Sequence, residues 1–167
     1  FYLQAANKIR CMSIVLSIKN IAKSYGSVRA LNGVSFDVPQ GSVFGILGPN
    51  GSGKTTLLGI VMDVLKANTG DFDWFGQPGS PEQRKKIGSL LETPNFYSYM
   101  SAIDNLKITQ SISGRGTSAD IDAVLKKVNL YDRRRYRFNS YSLGMKQRLA
   151  IGAALLGNPK VLVLDEP

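Results

Sequence analysis

The chain has 167 residues, a formal net charge of +9 and 43% hydrophobic residues, enough apolar content for a folded core and too much for a disordered polymer. Its single cysteine and its lack of histidine exclude an internal disulfide and a zinc site built from those residues, and they suit a reducing compartment. No apolar run approaches the length of a membrane-spanning helix.

The N-terminal region is predicted to hold a short extension and then a small antiparallel sheet. Residues 1–11 show no hydrophobic period and no secretion-signal pattern, so we expect a poorly ordered extension, or residues that precede a true start at Met12. Between residues 15 and 41, apolar and polar residues alternate between turn residues, which is typical of paired strands. Tyr25 stands at one of these turns, where its ring can either stack on a nucleotide base or simply pack.

The most informative stretch is a glycine-rich loop between a predicted strand and a predicted helix. It has the pattern G-x-x-x-x-G-K-[ST], follows an apolar run at residues 43–47 and precedes a helical pattern at about residues 55–66. This order is typical of a phosphate-binding loop, because glycines let backbone N–H groups turn inward and the new helix adds its positive end. The predicted binding residues are Gly48, Pro49, Asn50, Gly51, Ser52, Gly53, Lys54, Thr55 and Thr56.

Two side chains of this loop have specific expected roles. We expect Lys54 to contact the β- and γ-phosphates as a point charge, and the Thr55 hydroxyl to ligate the accompanying Mg²⁺. The alternative is a glycine-rich turn that only joins a strand to a helix. Since all the fixed positions and both flanking elements are present, the loop predicts a polyphosphate ligand.

The middle of the chain alternates between strand and helix patterns. Residues 70–76 and 87–92 are predicted strands, with a short helix at 82–86 between them. Residues 93–141 carry two apolar helical patterns around a flexible, glycine-containing turn, and we interpret them as a helical insertion. Ser142 is expected to cap a further helix, which a glycine and a proline end.

The chain closes on an apolar run followed by two carboxylates. Residues 161–164 are all apolar, which predicts a strand buried on both faces in a parallel sheet. Asp165 and Glu166 follow at the carboxyl end of that strand, where such sheets bind ligands. We expect Asp165 to hold Mg²⁺ and Glu166 to orient or deprotonate the water that attacks the γ-phosphate. The alternative is that the two acidic residues simply end a strand.

Taken together, these motifs resemble those of the nucleotide-binding subunit of an ATP-binding cassette (ABC) transporter over about residues 14–167. Four motifs occur in the family's order: an adenine-stacking loop at Tyr25 and Gly26, Walker A at 48–55, the family signature at 141–148 and Walker B at 161–166. Four motifs in order are far more specific than any one of them.

The resemblance implies roles for individual residues. Lys54 and Thr55 would bind phosphate and Mg²⁺, Asp165 would hold Mg²⁺, and Glu166 would be the catalytic carboxylate assisted by Lys54. Ser142 and Gly144 of the signature would contact the γ-phosphate bound by a partner subunit, and a serine at a helix N-terminus is suited to such an anion. The implied cofactors are ATP and Mg²⁺.

The implied fold is α/β, a P-loop NTPase core with a mainly parallel sheet, a small antiparallel β region and a helical insertion. The extension at 1–11 would precede an ATP-binding core at 12–92. The insertion would occupy 93–141, and 142–167 would return to the core with the signature helix and the Walker B strand.

Three positions depart from the usual family pattern. Leu143 occupies a usual glycine position of the signature, and Met145 a usual glutamine position. Glu92 stands where the family generally has glutamine, and we consider it a tentative third Mg²⁺ ligand. All three substitutions look like the branch that exports peptide antibiotics such as bacitracin and lantibiotics.

The loop after the 87–92 strand is a candidate contact for a membrane partner, because the family uses this loop for coupling. Phe96, Tyr97 and Tyr99 form an aromatic cluster there of the kind that anchors protein interfaces. The alternative is that these rings pack the helical insertion onto the core.

In the family, Walker B is followed by a dimer-interface loop, a further core strand and a switch histidine. The chain ends at Pro167 without a histidine, so we expect a truncated protein. Because the further strand would lie between the Walker A and Walker B strands, we also expect a gap at the centre of the sheet.

The predicted function is ATP binding and hydrolysis by the motor subunit of a transporter, a peptide or antibiotic exporter. Its expected partners are a second nucleotide-binding subunit, forming a dimer, and a membrane-spanning permease on whose cytoplasmic side it is peripheral. The chain alone is expected to be inactive, as a nucleotide-binding fragment without turnover.

A basic segment supports a different function. Residues 115–148 carry nine basic and three acidic residues, which suits nucleic acid, anionic lipid or an acidic protein, or simply a solvated face. A soluble ATPase that acts on nucleic acid or the ribosome is therefore the alternative. We expect no nucleic-acid partner, because no recognised motif or base-stacking aromatic pattern accompanies the charge.

Overall fold

The structure, a computed structural model, describes residues 13–91 and 96–165. The predicted extension at 1–11 therefore lies outside the described residues. The strands are β1 (Ile14–Tyr25), β2 (Val28–Pro39), β3 (Thr69–Trp74), β4 (Gln77–Pro78), β5 (Ile87–Leu90) and β6 (Val161–Leu164). The helices are α1 (Lys54–Val61), α2 (Pro81–Arg84), α3 (Ala102–Ser113), α4 (Ser118–Lys127) and α5 (Leu143–Leu155), with 3₁₀ turns at Tyr131–Arg133 and Phe138–Ser140.

The predicted antiparallel region is confirmed as a four-stranded sheet in the order β2-β1-β3-β4. Alternating residues of the central strand β1, including Leu16 and Ile18, are buried against α1. The Trp74 indole N–H at the end of β3 donates to the backbone carbonyl oxygen of Val61 at 2.8 Å. This bond joins the sheet to the helix that follows the glycine loop.

Both apolar runs form strands, as predicted, and β5 and β6 pair with each other in a parallel two-stranded sheet. Backbone bonds extend the pairing beyond both ends, from Lys160 N to Lys86 O at 2.8 Å and from Asp165 N to Leu90 O at 2.9 Å. The prediction that β6 is buried on both faces is wrong, because Leu162 and Leu164 are exposed while Val163 is buried. One face of β6 borders an open cavity.

The strand predicted at residues 43–47 is not formed. Residues 42–49 have no strand or helix assignment, and Val43 and Leu47 are fully exposed. A cavity of about 720 Å³ lies between this segment and β6 and is lined by both. A strand needs a hydrogen-bonded neighbour, and here the cavity separates the segment from β6. The expected gap between the Walker A and Walker B segments is thus present.

The helices predicted within residues 93–141 and after Ser142 are confirmed. Each of the three long helices begins with a hydroxyl side chain that accepts a backbone N–H bond: Ser101 before α3, Thr117 before α4 and Ser142 before α5. Their apolar faces meet in a separate cluster that includes fully buried Leu106 and Leu125. The division of the chain into domains with the predicted bounds stays a prediction.

Two contacts join the helical cluster to the parallel sheet. A Cβ atom added at Gly88 of β5 would lie 2.0 Å from the carbonyl oxygen of Ala154, so α5 packs on the sheet at a distance that only glycine allows. The Arg115 guanidinium, on the turn between α3 and α4, donates to Ile87 O at 2.6 Å. Burial lowers the pKa of Arg115, but a guanidinium stays charged at neutral pH.

Within the described ranges, none of the helices is both long and apolar enough to cross a membrane.

Candidate nucleotide-binding site

The glycine loop folds tightly against the start of β2. Gly51 and Gly53 have φ angles of 82° and 90°, in the left-handed region that favours glycine. A Cβ atom at Gly53 would lie 2.4 Å from the carbonyl oxygen of Ala30. The loop therefore needs glycine at position 53 for two reasons, its backbone angle and its close approach to β2.

Helix α1 leaves its first backbone N–H groups available. Its first intrahelical bond runs from Leu57 N to Gly53 O at 2.8 Å, so the N–H groups of Lys54, Thr55 and Thr56 have no acceptor within the helix. Among the described residues, no side chain caps this helix. These donors and the positive end of the helix dipole together favour an anion such as a phosphate.

The Lys54 ammonium group lies over the same loop. Its Nζ donates to the carbonyl oxygens of Gly48 at 2.9 Å and Pro49 at 3.1 Å. A phosphate oxygen is a stronger acceptor than a carbonyl for a charged donor. Lys54 can therefore exchange these two bonds for bonds to a phosphate.

Thr55 and Asp165 meet beside the loop although they are 110 residues apart in sequence. The Thr55 hydroxyl donates to Asp165 Oδ2 at 2.9 Å, and the Asp165 backbone is held by its bond to Leu90 O. The structure thus brings together two of the three residues predicted to ligate Mg²⁺. Both offer the hard oxygen atoms that Mg²⁺ prefers.

This donor set fits Mg²⁺ that arrives with a nucleotide. Across residues 13–91 and 96–165, no group of three or more histidine, cysteine, aspartate or glutamate side chains is placed to hold a metal by itself. Mg²⁺ is commonly held by one or two protein oxygens, with phosphates and water completing its coordination. One carboxylate and one hydroxyl beside a phosphate cradle match that pattern.

Tyr25 lies at the tip of the β1–β2 hairpin and its ring is exposed. In this hairpin Lys23 pairs with Leu31, and Leu31 lies against Gly53 of the loop. The hairpin is therefore next to the phosphate loop. The Lys23 Nζ lies 5.3 Å from the centre of the Tyr25 ring, and stacking of the ring on adenine stays a prediction.

Ser142 and Gly144 lie apart from the phosphate loop. They sit at the exposed N-terminus of α5, where the Ser142 hydroxyl accepts a bond from Met145 N at 3.3 Å. No hydrogen bond joins them to the loop in the part of the chain that the structure describes. This placement is compatible with a role toward a partner's nucleotide, which stays a prediction.

Glu92 and Glu166 lie outside the described residues. The tentative Mg²⁺ role of Glu92 and the catalytic role of Glu166 are therefore still predictions.

The predicted aromatic cluster divides into two parts. Phe96 packs edge to face on Phe138, with ring centres 5.2 Å apart, and belongs to the helical cluster. Tyr97 and Tyr99 are exposed. The alternative that the rings pack the helical region therefore applies to Phe96. Of the three aromatic residues, only Tyr97 and Tyr99 remain candidates for anchoring a membrane partner.

Sequence reasoning missed the residue that shapes this loop. Asn105 is almost fully buried, and its side chain accepts from Tyr97 N at 2.8 Å and donates to Tyr97 O at 3.1 Å and Ser101 O at 3.0 Å. The signal was an asparagine on an otherwise apolar helix face. Two further contacts were missed, namely the close approach of Gly53 to Ala30 O and the bond from Arg115 to Ile87 O. No local sequence pattern indicates either of them.

A glycine cradle at the start of a helix, with a lysine inside it and an aspartate from a parallel strand beside it, defines a nucleotide-binding protein of the phosphate-loop class. A family model described as ABC transporter matches residues 31–167. The chain belongs to this family, as the sequence motifs predicted, and the family binds ATP.

Curated relatives of the chain include transport proteins for antibiotics. It is 36% identical over 159 residues to the bacitracin transport ATP-binding protein BcrA of Enterococcus faecalis, covering 93% of this chain and 52% of that protein. It is 39% identical over 153 residues to the lantibiotic transport ATP-binding protein SrtF of Streptococcus pyogenes, covering 92% of this chain and 66% of that one. The chain thus spans between about half and two thirds of their lengths.

Solved structures of the family share the fold. A nucleotide-free ATP-binding cassette from an ABC transporter has a TM-score of 0.82 and 28% identity, over 92% of this chain and 69% of that chain. The cbiO1 protein of Clostridium perfringens, described as part of the transporter complex cbiONQ, has a TM-score of 0.80 and 26% identity, over 93% and 66%. The predicted P-loop NTPase fold with its small antiparallel sheet is confirmed.

Proposed function

We propose that the chain binds ATP together with Mg²⁺, and that the whole protein hydrolyses ATP as the motor subunit of an exporter of peptide antibiotics. The observation that carries this proposal is the 2.9 Å bond between Thr55 and Asp165. It places a hydroxyl from the start of α1 and a carboxylate from the end of β6 beside the same phosphate cradle.

The residues of the loop bind and orient the nucleotide. The backbone N–H groups at the start of α1 and the Lys54 ammonium surround the β- and γ-phosphates, while Thr55 and Asp165 hold Mg²⁺. When bound, Mg²⁺ neutralises charge on the phosphate oxygens. Tyr25 stacks on the adenine ring from the neighbouring hairpin.

Glu166 directly follows Asp165 in the sequence. In the proposed reaction its carboxylate accepts a hydrogen bond from the water that attacks the γ-phosphorus, and ADP and phosphate leave. Phosphoryl transfer depends mainly on positioning and charge stabilisation. The backbone bond that holds Asp165 to β5 supports this positioning.

The partners follow from the exposed signature. Ser142 and Gly144 lie at the exposed N-terminus of α5, where they contact the γ-phosphate of the ATP bound by a second nucleotide-binding subunit. ATP held between two subunits closes the dimer and hydrolysis reopens it, which drives a permease. The names of the bacitracin and lantibiotic relatives support a peptide antibiotic as substrate and a peripheral location on the cytoplasmic side of the membrane.

Substitution of Lys54 tests the proposal. In the full-length protein, Lys54→Ala should weaken Mg-ATP binding about tenfold to a hundredfold, because it removes a charged hydrogen-bond donor, and should abolish phosphate release. Calorimetric titration and a phosphate-release assay measure the two effects. Lys66→Ala is the matched control, since Lys66 is exposed just beyond α1 and should have no effect. Equal ATP affinity in the Lys54 variant and the parent would overturn the assignment.

A further inference from the structure

Three asparagines of the chain are followed by a glycine or a serine, namely Asn32, Asn50 and Asn139. A small following residue matters chemically, because its backbone nitrogen can then reach the carbonyl carbon of the asparagine side chain without steric conflict. That approach closes a five-membered ring and begins deamidation, one reason why asparagine is a thermolabile residue. All three asparagines are exposed, so their backbone surroundings must distinguish them.

Asn50 and Gly51 occupy the centre of a β-turn in the phosphate loop. Ser52 N donates to Pro49 O at 3.1 Å and closes this turn, and the φ of 82° at Gly51 is typical of the third residue of a type II turn. The closing bond uses neither the Asn50 side chain nor the Gly51 backbone N–H. Among the described residues, no hydrogen bond involves either group, so both are free to react.

The space around Gly51 is open. Within residues 13–91 and 96–165, no atom from beyond its chain neighbours lies within 4 Å of a Cβ atom built at Gly51. Asn50 and Gly51 are both exposed, so water, which deamidation consumes, reaches them. Nothing in the surrounding fold therefore hinders the approach of Gly51 N to Asn50 Cγ.

Asn32 also precedes a glycine, but its backbone is held in a sheet. Asn32 and Gly33 lie within β2, and the residues on either side of them, at positions 31 and 34, pair with β1. A Cβ atom built at Gly33 would lie 2.7 Å from Asn20 Oδ1. This dipeptide is thus both paired and crowded, which slows the rearrangement that ring closure requires.

At Asn139, the nitrogen that would attack is already engaged. Ser140 N donates to Arg137 O at 3.0 Å, and the Ser140 hydroxyl donates to the same oxygen at 2.7 Å. Attack on the Asn139 side chain would break the backbone bond. Of the three asparagines, Asn50 therefore has the most accessible reaction path.

The electrostatic surroundings also favour reaction at Asn50. Lys54 Nζ donates to Pro49 O at 3.1 Å, the carbonyl of the peptide group that precedes Asn50, and the positive end of α1 begins at the same lysine. The attacking backbone nitrogen carries a negative charge once it has lost its proton. Positive surroundings stabilise that charge, so the cradle that suits a phosphate also suits this nucleophile.

We propose that Asn50 is a site of spontaneous deamidation and that bound nucleotide protects it. Gly51 N gives its proton to hydroxide and attacks Asn50 Cγ, so that a new C–N bond forms. The bond from Cγ to the amide nitrogen breaks, and that nitrogen takes up a proton and leaves as ammonia. Water then opens the resulting succinimide ring at either carbonyl, which gives aspartate or isoaspartate at position 50.

Protection by nucleotide rests on the proposed function, in which backbone N–H groups of this loop donate to phosphate oxygens. A Gly51 N–H that is bonded to a phosphate cannot attack Asn50. Deamidation in turn adds a negative charge to the phosphate loop, and isoaspartate also adds a main-chain carbon to the turn. The nucleotide-free loop therefore loses ATP affinity with time, whereas the occupied loop keeps it.

Peptide mass spectrometry of the full-length protein tests the site after incubation in mildly alkaline buffer. In urea, Asn32 and Asn50 should convert at similar rates, because both precede glycine. In the folded, nucleotide-free protein, Asn50 should convert at least about tenfold faster than Asn32, which reacts only when the sheet opens locally. A non-hydrolysable ATP analogue with Mg²⁺, at about a hundred times its Kd, should slow conversion of Asn50 up to about a hundredfold, because only free protein reacts.

Calorimetric titration tests the consequence for binding. Asn50→Asp should weaken Mg-ATP binding about tenfold, because it adds a negative charge beside the phosphates. Asn139→Asp is the matched control, which adds the same charge at an exposed position of the insertion and should stay within about twofold of the parent. After incubation without nucleotide, the parent should lose ATP affinity, whereas Asn50→Ala should retain its own starting affinity.

The outcomes that overturn this inference differ from those that overturn the proposed function. If Asn50 stays intact in the folded, nucleotide-free protein while it converts in urea, the modification site is wrong. If the parent binds ATP but the analogue leaves the rate at Asn50 unchanged, the protection is wrong. If Asn50→Asp binds Mg-ATP like the parent, the consequence for binding is wrong. A parent that fails to bind ATP overturns the proposed function, and the protection with it, while rapid conversion of Asn50 still supports the modification site.

Discussion

Helix α1, which follows the phosphate loop, begins differently from the two helices of the insertion. Helices α3 and α4 each start with a serine or threonine whose oxygen accepts a backbone N–H bond. Helix α1 starts after Gly53 and has no side-chain cap within the part of the chain that the structure describes. A cap satisfies donors that would otherwise seek a partner. The uncapped start of α1 therefore keeps its donors for a ligand, whereas the insertion is satisfied by its own residues.

The same two regions differ in how they bury apolar side chains. The insertion closes a cluster around Leu106 and Leu125, both fully buried. In the core, the segment before the phosphate loop leaves Val43 and Leu47 fully exposed beside the cavity. Stability is thus expected to depend on buried side chains such as Leu125 and the core's Ile21, and not on residues 43–47, whereas nucleotide binding depends on the phosphate loop.

The largest expected effect comes from matched leucine substitutions. Leu125→Ala should lower the free energy of unfolding by about 2–5 kcal/mol, because it leaves a cavity in the insertion. When both substitutions are made in the 167-residue chain, Leu47→Ala should change it by less than about 0.5 kcal/mol, because that side chain is exposed to water there. Denaturant unfolding of both variants measures the difference. A similar loss of unfolding free energy in both variants would show that residues 43–47 are packed in solution. It would contradict the difference in burial between the two regions.

A glycine substitution in the loop is expected to have the next largest effect. Gly53→Ala should destabilise the protein by about 2–4 kcal/mol, because the added methyl both strains a left-handed backbone and meets Ala30 O. It should also abolish measurable ATP binding. Gly114→Ala is the control, since Gly114 has a φ of 61° but nothing within 4 Å of an added Cβ.

The control separates backbone strain from steric conflict. Gly114→Ala should cost only about 1–2 kcal/mol, from its backbone angle alone, and should leave ATP affinity unchanged. If the two substitutions cost the same and both proteins bind ATP, the contact between the loop and β2 has no role.

The smallest expected effect comes from removing the side-chain cap of helix α4. Thr117 and Asp120 form a reciprocal capping box at the start of α4, and Thr117→Ala should reduce stability by about 1 kcal/mol. ATP affinity should not change, because this cap serves only the insertion. Thermal unfolding and an ATP titration measure the two effects, and a loss of ATP affinity without a loss of stability would contradict the division between the two regions.

Local patterns predicted most of the secondary structure and the site. The phosphate loop, the cap at Ser142 and the strand before Asp165 all depend on neighbouring residues, which a sequence shows directly. Neighbouring residues do not determine whether the segment 43–47 forms a strand. An apolar run becomes a strand only when another strand pairs with it, and that is a property of the whole sheet.

Contacts between distant residues were also beyond local patterns. The Thr55–Asp165 bond was predicted only as a shared role in Mg²⁺ binding, and its geometry depends on the order of elements in space. Phe96 and Tyr97 are adjacent in sequence, yet one packs inside the insertion and the other faces solvent. Asn105 holds the backbone of Tyr97 through two hydrogen bonds, and residues 96 and 97 alone do not reveal this contact.

The most direct test of the account is the Mg²⁺ dependence of ATP binding in Asp165→Asn. Calorimetric titration of the full-length parent and variant, each with Mg²⁺ and with a chelator, gives the gain in affinity that Mg²⁺ provides. We predict that the parent gains affinity from Mg²⁺ and that the variant loses this gain while it keeps the parent's affinity in the chelator. An equal gain from Mg²⁺ in both proteins would contradict the proposal that Asp165 helps to hold Mg²⁺.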